Sequence, residues 1–299
     1  MINLPEGVEL NNLLLFLRET GVKAALILRS FENGSISLYD FGDNSKLQKN
    51  VNEPVTAADL TVNKLLLDEF ALNYPNINWE IVTEENSKEN LSRDYKSEWV
   101  WMIDPLDGTK DFIQKTGEYA VHVSLLFKKI PVLGMVVLPS LQEIWFAVKE
   151  IGTWKENEAF LPQERDLMVF SKKDVDTVIT SKNHNNQKLK LILSEMNFKN
   201  IIQKGSIGFK ICSLLKNEGN IYISISDKTS PKDWDVAAPH SLIKNARCQF
   251  TYVSGDELTY MGKNFEQKGC LIASTLRKTE HLKICERVKT IIEMQFSPN

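Results

Sequence analysis

The residues best suited to chemistry are carboxylates. Asp104-Pro105-Leu106-Asp107-Gly108-Thr109-Lys110-Asp111 follows an apolar run from Trp99 to Ile103. Two carboxylates three residues apart on a tight turn can face one point. Pro105 fixes φ and removes an N–H donor, and Gly108 permits a sharp turn and close approach of a ligand. The Leu106 carbonyl lies between the acids and offers a third oxygen. Such oxygens suit a hard cation such as Mg²⁺, which keeps water and substrate phosphate in its remaining positions. A helix starting at Gly108 would add free N–H groups for a phosphate.

A lone D-x-x-D is as readily a capped surface turn, so the reading leans on three further acidic sites. Glu84-Glu85 close a strand, Asp59 follows Pro54-Val55-Thr56-Ala57-Ala58, and Asp235 sits in Trp234-Asp235-Val236-Ala237-Ala238-Pro239. Each has a plain alternative. Glu84-Glu85 can be solvated surface, Asp59 can favour a helix dipole, and Asp235 can cap a helix. Like carboxylates at a strand end, however, commonly need a cation to coexist comfortably.

These acids need elements to hold them. Apolar spacing predicts a helix from about Val8 to Ser30, a loop or hairpin over Asn33 to Asn52, and a second helix after Pro54 with Thr56 as N-cap. The period then changes. Strands are expected at Ile81–Val82, Trp99–Ile103, Tyr119–Phe127, Val132–Leu138 and Ile144–Val148, with a hairpin at Lys128–Pro131. Pro162 to Asp166 is a polar break. Beyond it, strands at Val178–Thr180, Ile201–Ile202 and Asn220–Ser226 alternate with helices at Lys188–Met196, after Gly208 and near Trp234, and a last helix runs from about Glu280 to Met294. Strands first and alternation later argue for α+β followed by α/β. Residues 1–165 would form one subdomain carrying most of the acids, and 166–299 a second carrying Asp235.

Composition excludes several classes. With 299 residues, 42% hydrophobic and 25% charged, the chain can build a real core. A net charge of −3 gives no basic excess for nucleic-acid polymers or anionic membranes. No apolar run approaches the roughly 18–20 residues that span a bilayer, and the N-terminus lacks the basic region of a signal peptide. Four scattered cysteines without a C-x-x-C pair suggest reduced thiols and a cytoplasmic setting. The four histidines lack zinc-like spacing. Walker loops and G-x-S-x-G nucleophile elbows are absent from the sequence.

D-P-L-D-G-T-K together with W-D-V-A-A-P resembles the inositol monophosphatase superfamily of Mg²⁺-dependent, lithium-sensitive phosphatases, over roughly residues 54 to 245. Lys110-Asp111-Phe112 and the Gly205-Ser206-Ile207-Gly208-Phe209-Lys210 segment look like its 3′(2′),5′-bisphosphate nucleotidase branch, although Ile207 stands where many members have serine. The resemblance implies a layered αβαβα sandwich and two or three Mg²⁺ ions. It implies metal ligands at Glu84, Asp104, the Leu106 carbonyl, Asp107 and Asp235. Glu84, Asp59 and Thr109 would activate a water, and Gly108 and Thr109 would hold the phosphate. Ser206, Lys210, Ser181 and His184 are the expected contacts to the rest of the substrate. The implied reaction removes the 3′-phosphate of adenosine 3′,5′-bisphosphate, with 3′-phosphoadenylyl sulfate as a second substrate, in a monomer or homodimer. An inositol monophosphatase of the same mechanism and a non-catalytic nucleotide sensor are the alternatives.

Overall fold

A computed structural model describes residues 4–35, 54–87, 95–157, 176–183 and 186–296. Two mixed sheets organise them. The first has strands β1 (Glu80–Thr83), β2 (Trp99–Asp107), β3 (Ala120–Phe127), β4 (Ile130–Leu138), β5 (Glu143–Val148) and β6 (Gly152–Asn157) in sequential order, with β1 and β2 parallel and the rest antiparallel. The second contains β7 (Thr177–Ser181), β8 (Asn200–Lys204), β9 (Ile221–Ile225), β10 (Gln249–Tyr252) and β11 (Cys270–Ser274), in the order β10-β11-β9-β7-β8.

Alternation along the strands divides the core into layers. In β2, Trp101 and Ile103 face α1 (Leu10–Glu32) and α2 (Pro54–Asn73), while Val100 and Met102 face the opposite way. That inner face is covered by α5 (Ile207–Leu215) and α6 (Asp233–Asn245), through Phe209, Val236, Ala237 and Leu242. The same helices cover Ile179, Tyr222 and Ala273 of the second sheet. The far side of that sheet presents Val178, Ile223 and Ile272 to α4 (Gln187–Met196) and α7 (Lys278–Phe296). Helix, sheet, helix, sheet, helix is the expected five-layer sandwich. Its middle layer comes wholly from the second half of the chain.

Several expectations shift. Helix α2 begins at Pro54, a favoured first position because its missing N–H is not needed there, so Thr56 lies inside the helix rather than capping it. Asp59 consequently falls beyond the first turn, where a dipole role is weak. Strand β2 does not stop at Ile103 but continues to Asp107. Strands β6, β10 and β11 were not anticipated. The last two are short, and 17 residues separate them, a stretch that includes left-handed positions at Gly255, Met261 and Asn264. The loop assigned to Asn33–Asn52 lies largely outside the described residues, as do the polar break Pro162–Asp166 and the subdomain junction at 165/166.

Candidate active site

A regular strand would send Asp104 and Asp107 to opposite faces, because side chains alternate. The structure avoids this with a β-bulge rather than a turn after the strand. Asp104 pairs with His122 and Asp107 with Ala120, so three residues of β2 advance against two of β3. The extra residue brings both carboxylates to the inner side. Pro105 fits there because a bulge tolerates a missing donor. Leu106 turns into the outer core, and its N–H donates to Asp104 Oδ1 at 2.9 Å. Gly108 follows at φ 89°, in the left-handed region glycine favours, and opens the short helix α3 (Thr109–Ile113). Thr109 is exposed, with its hydroxyl 3.4 Å from the Leu106 carbonyl.

The other acids arrive from three directions. Glu84 follows β1 in a turn closed by reciprocal bonds between Thr83 and Asn86 at 2.8 and 3.1 Å. It opens to solvent at the cavity mouth. Asp235 occupies the first turn of α6, where its carboxylate accepts the Lys232 N–H at 2.8 Å. Lys232 is the N-cap, so Asp235 bonds back to the cap from the third helical position rather than being the cap itself, and it faces the cavity as well. Asp59 is buried on α2, and its Oδ1 has no hydrogen-bond partner among the described residues.

Glu84, Asp104, Leu106, Asp107, Gly108, Thr109, Ser181, Ser206, Lys210 and Asp235 all line one cavity of about 400 Å³. Asp59 lies behind it, close enough to be perturbed by Glu84 and Glu85. His184 lies outside the described residues. The sequence reading missed Asn183, Tyr222 and Ser224 in the wall. Two of these were readable, since Ile221-Tyr222-Ile223-Ser224-Ile225-Ser226 alternates strictly and so declares which side chains face inward.

The opposite wall is pinned by hydrogen bonds. Asp107 Oδ2 accepts from the Ile207 and Gly208 N–H groups at 2.6 and 3.4 Å, which ties the bulge to the start of α5. Ser206 caps α5, its hydroxyl accepting the Phe209 N–H at 3.0 Å. Lys210 is buried and donates to the Gly205 carbonyl at 2.5 Å. Asp111 is buried too, accepting from Asn183 Nδ2 at 2.6 Å and from the Thr116 hydroxyl at 3.0 Å. Gly205 must lack a side chain, because a Cβ there would lie 2.6 Å from that carboxylate.

Electrostatics show what the acids lack. Burial first, and then Glu85 and Glu84, push Asp59 up to about 8. Burial and the neighbouring Glu84, Asp107 and Asp235 hold Asp104 well above the usual carboxylate range, and burial together with Asp107 does the same to Asp235. Glu84 is raised to about 7 by burial, Glu85 and Asp107, although its solvent exposure damps that effect. Lys210 is lowered to about 8 by burial, against the pull of Asp107 and Asp111. A cation would relieve this crowd. Among the described residues no three acidic, His or Cys side chains converge tightly enough to hold an ion by themselves. Carboxylates spread around a shared cavity suit a cation that also takes water and substrate oxygens, as Mg²⁺ does.

The inositol monophosphatase family model matches residues 9–293. A 3′(2′),5′-bisphosphate nucleotidase CysQ from Buchnera aphidicola is 30% identical over 210 residues, covering 70% of this chain and 75% of that protein. Among solved structures, CysQ from Bacteroides thetaiotaomicron superposes with a TM-score of 0.69 at 20% identity, over 88% of this chain and 97% of that one. A 2′AMP-bound SaIMPase-II gives 0.70 at 17%, over 95% and 98%. No described helix is long and apolar enough to cross a membrane. The protein belongs to the inositol monophosphatase family and is a phosphatase.

Proposed function

We propose that this phosphatase is a Mg²⁺-dependent 3′(2′),5′-bisphosphate nucleotidase. Its substrate would be adenosine 3′,5′-bisphosphate, with 3′-phosphoadenylyl sulfate as a second one. One observation carries the reading: Glu84, Asp104, Asp107 and Asp235 and the buried ammonium of Lys210 stand on the walls of the same cavity. The acids suit the metal-bound end of a phosphate ester, and the ammonium suits a second anionic group on the same molecule. The names of the curated relatives support the nucleotide.

Glu84, Asp104, the Leu106 carbonyl, Asp107 and Asp235 would hold two or three Mg²⁺ ions. When bound, these supply positive charge for the phosphate oxygens and lower the pKa of water. The chain does the rest. The Gly108 and Thr109 N–H groups orient the phosphate. Thr109 Oγ1 would pass the proton of the attacking water toward Asp59 or Glu84, carboxylates that a bound cation keeps ionised. Lys210, with Ser206, Ser181 and His184, takes the remainder of the substrate. At pH 7 Lys210 stays mostly protonated. The division into residues 1–165 and 166–299 is part of the same proposal. So is a cytoplasmic location, supported by four cysteines that are all buried and free.

Phosphate release from adenosine 3′,5′-bisphosphate and inositol 1-phosphate at equal concentration, with and without Mg²⁺, tests the reading. The nucleotide is expected to be preferred and the metal to be required. Preference for the inositol ester would move the protein to the other branch and remove the role given to Lys210.

A further inference from the structure

Beneath the acids lies a histidine that the proposed chemistry leaves unused. His122 is fully buried on β3, directly across from Asp104 in the strand register. Its Nε2 stands 3.5 Å from Asp107 Oδ2. Neither ring nitrogen makes a hydrogen bond of ordinary length and angle among the described residues, which is costly for a buried imidazole. Gly208 closes over the ring, and a Cβ at that position would collide with Nε2. On its other side the ring meets the backbone of Trp234 and Asp235.

That backbone has its own deficit. Pro239 lies inside α6 and lacks the N–H that would reach back four residues. The carbonyl of Asp235 therefore loses its helical partner, and the first turn of α6 depends on what packs against it. His122 thus touches both elements that deliver acids to the inner wall, the bulge bearing Asp107 and the helix start bearing Asp235.

The division of labour on Asp107 follows. Its Oδ2 faces the protein, where Ile207 and Gly208 donate to it and Nε2 of His122 approaches from below. Asp107 also lines the cavity. We propose that His122 is a positioning residue for Asp107: an Nε2–H donated to Oδ2 completes a protein-facing set of donors and keeps the other carboxylate oxygen turned to the cavity. Partners of ligating carboxylates commonly contribute this way to metal affinity. The inference rests on Asp107 being a Mg²⁺ ligand, as proposed above.

The test is calorimetric titration of the intact protein with Mg²⁺ alone, for wild type, His122→Phe and His122→Asn. Phe fills the space without an N–H, whereas Asn is smaller but retains one. The Phe variant is expected to bind Mg²⁺ about 10–100-fold more weakly, with Asn recovering most of the loss. Unfolding midpoints in chelator, which a purely structural role would move, should stay close to wild type for Phe. If Phe does not fold, His122→Leu against His122→Asn repeats the comparison at smaller volume. Equal Mg²⁺ affinity for wild type and the apolar variant, or equal loss in the apolar and Asn variants, would overturn the role of His122. A wild-type protein that binds no Mg²⁺ would instead overturn the metal reading itself.

Discussion

The two walls of the cavity are built differently. The wall from the first half is a bulged strand inside a six-stranded sheet, flanked by buried Asp104 and backed by buried Asp59. The wall from the second half is made of ends: the end of β7 with Ser181 and Asn183, the start of α5 with Ser206, and the connection from β9 to α6. A sheet interior fixes atoms rigidly, which suits charge chemistry at one phosphate. Strand ends and loops change with little cost to the core, which suits the choice of what that phosphate is attached to. Damage to the first wall should therefore appear in turnover, and damage to the second, Asp235 apart, in KM.

The largest expected effect is from Asp104→Asn. It should reduce kcat by more than about 100-fold, beyond the range seen for outer partners of metal ligands. The unfolding midpoint in chelator should hold or rise, because a repelled buried charge is removed. Retained turnover would end the contrast at once.

Lys210→Gln comes next, acting on the opposite wall. It should raise KM for adenosine 3′,5′-bisphosphate by roughly 10–100-fold, the worth of a hydrogen bond to a charged group. Adenosine 3′-monophosphate, which lacks the second phosphate, should be much less affected. A matching fall in kcat for both substrates would place Lys210 with the metal acids instead.

Asn183→Ala should be milder. It removes the 2.6 Å bond to Asp111, which joins the end of β7 to the helix carrying Thr109. A loss of about 1 kcal/mol predicts a KM increase of about fivefold, with kcat nearly unchanged. Steady-state kinetics on the nucleotide would separate the two.

The smallest effect is a pH dependence of the metal-free protein. The folded pKa of Asp59 lies near 8, above the ordinary carboxylate value, so the folded state binds more protons than the unfolded one between about pH 4 and 8. Stability in chelator should fall as pH rises from 6 to 8. Mg²⁺ should flatten or reverse that slope, since a bound cation favours ionised carboxylates. Thermal melts at three pH values, with and without Mg²⁺, measure it. A flat profile in chelator would mean that Asp59 is not perturbed.

The same contrast explains what the sequence disclosed. Asp104, Asp107 and Asp235 were readable because two distinctive segments, D-P-L-D-G-T-K and W-D-V-A-A-P, single them out, and the structure brings all three to one cavity. The device that unites the first two, a bulge at Pro105-Leu106, was not. A D-P-L-D segment reads as a turn until the partner strand reveals the register. Asn183 was invisible for a related reason, since its partner Asp111 lies 72 positions away. His122 looked idle because it lacks zinc-like neighbours in sequence, and its company appears only across β2 and under Gly208. For the fold, long periodic helices such as α1 were legible. Strands β10 and β11 were not, because short apolar runs carry little periodicity.

The origin of the middle layer has a consequence for how the protein is made. By the time Asn157 leaves the ribosome every strand of the first sheet exists, yet Val100, Met102, Val136 and Trp145 on its inner face still lack the helices that cover them. Those helices end at Asn245, 88 residues later. At a synthesis rate of about 5–20 residues per second, that apolar face stays bare for roughly 4–18 seconds. A chain that stalls in this interval would present a complete but uncovered sheet to its neighbours, which makes α6 the element that ends the aggregation-prone phase of this protein's synthesis.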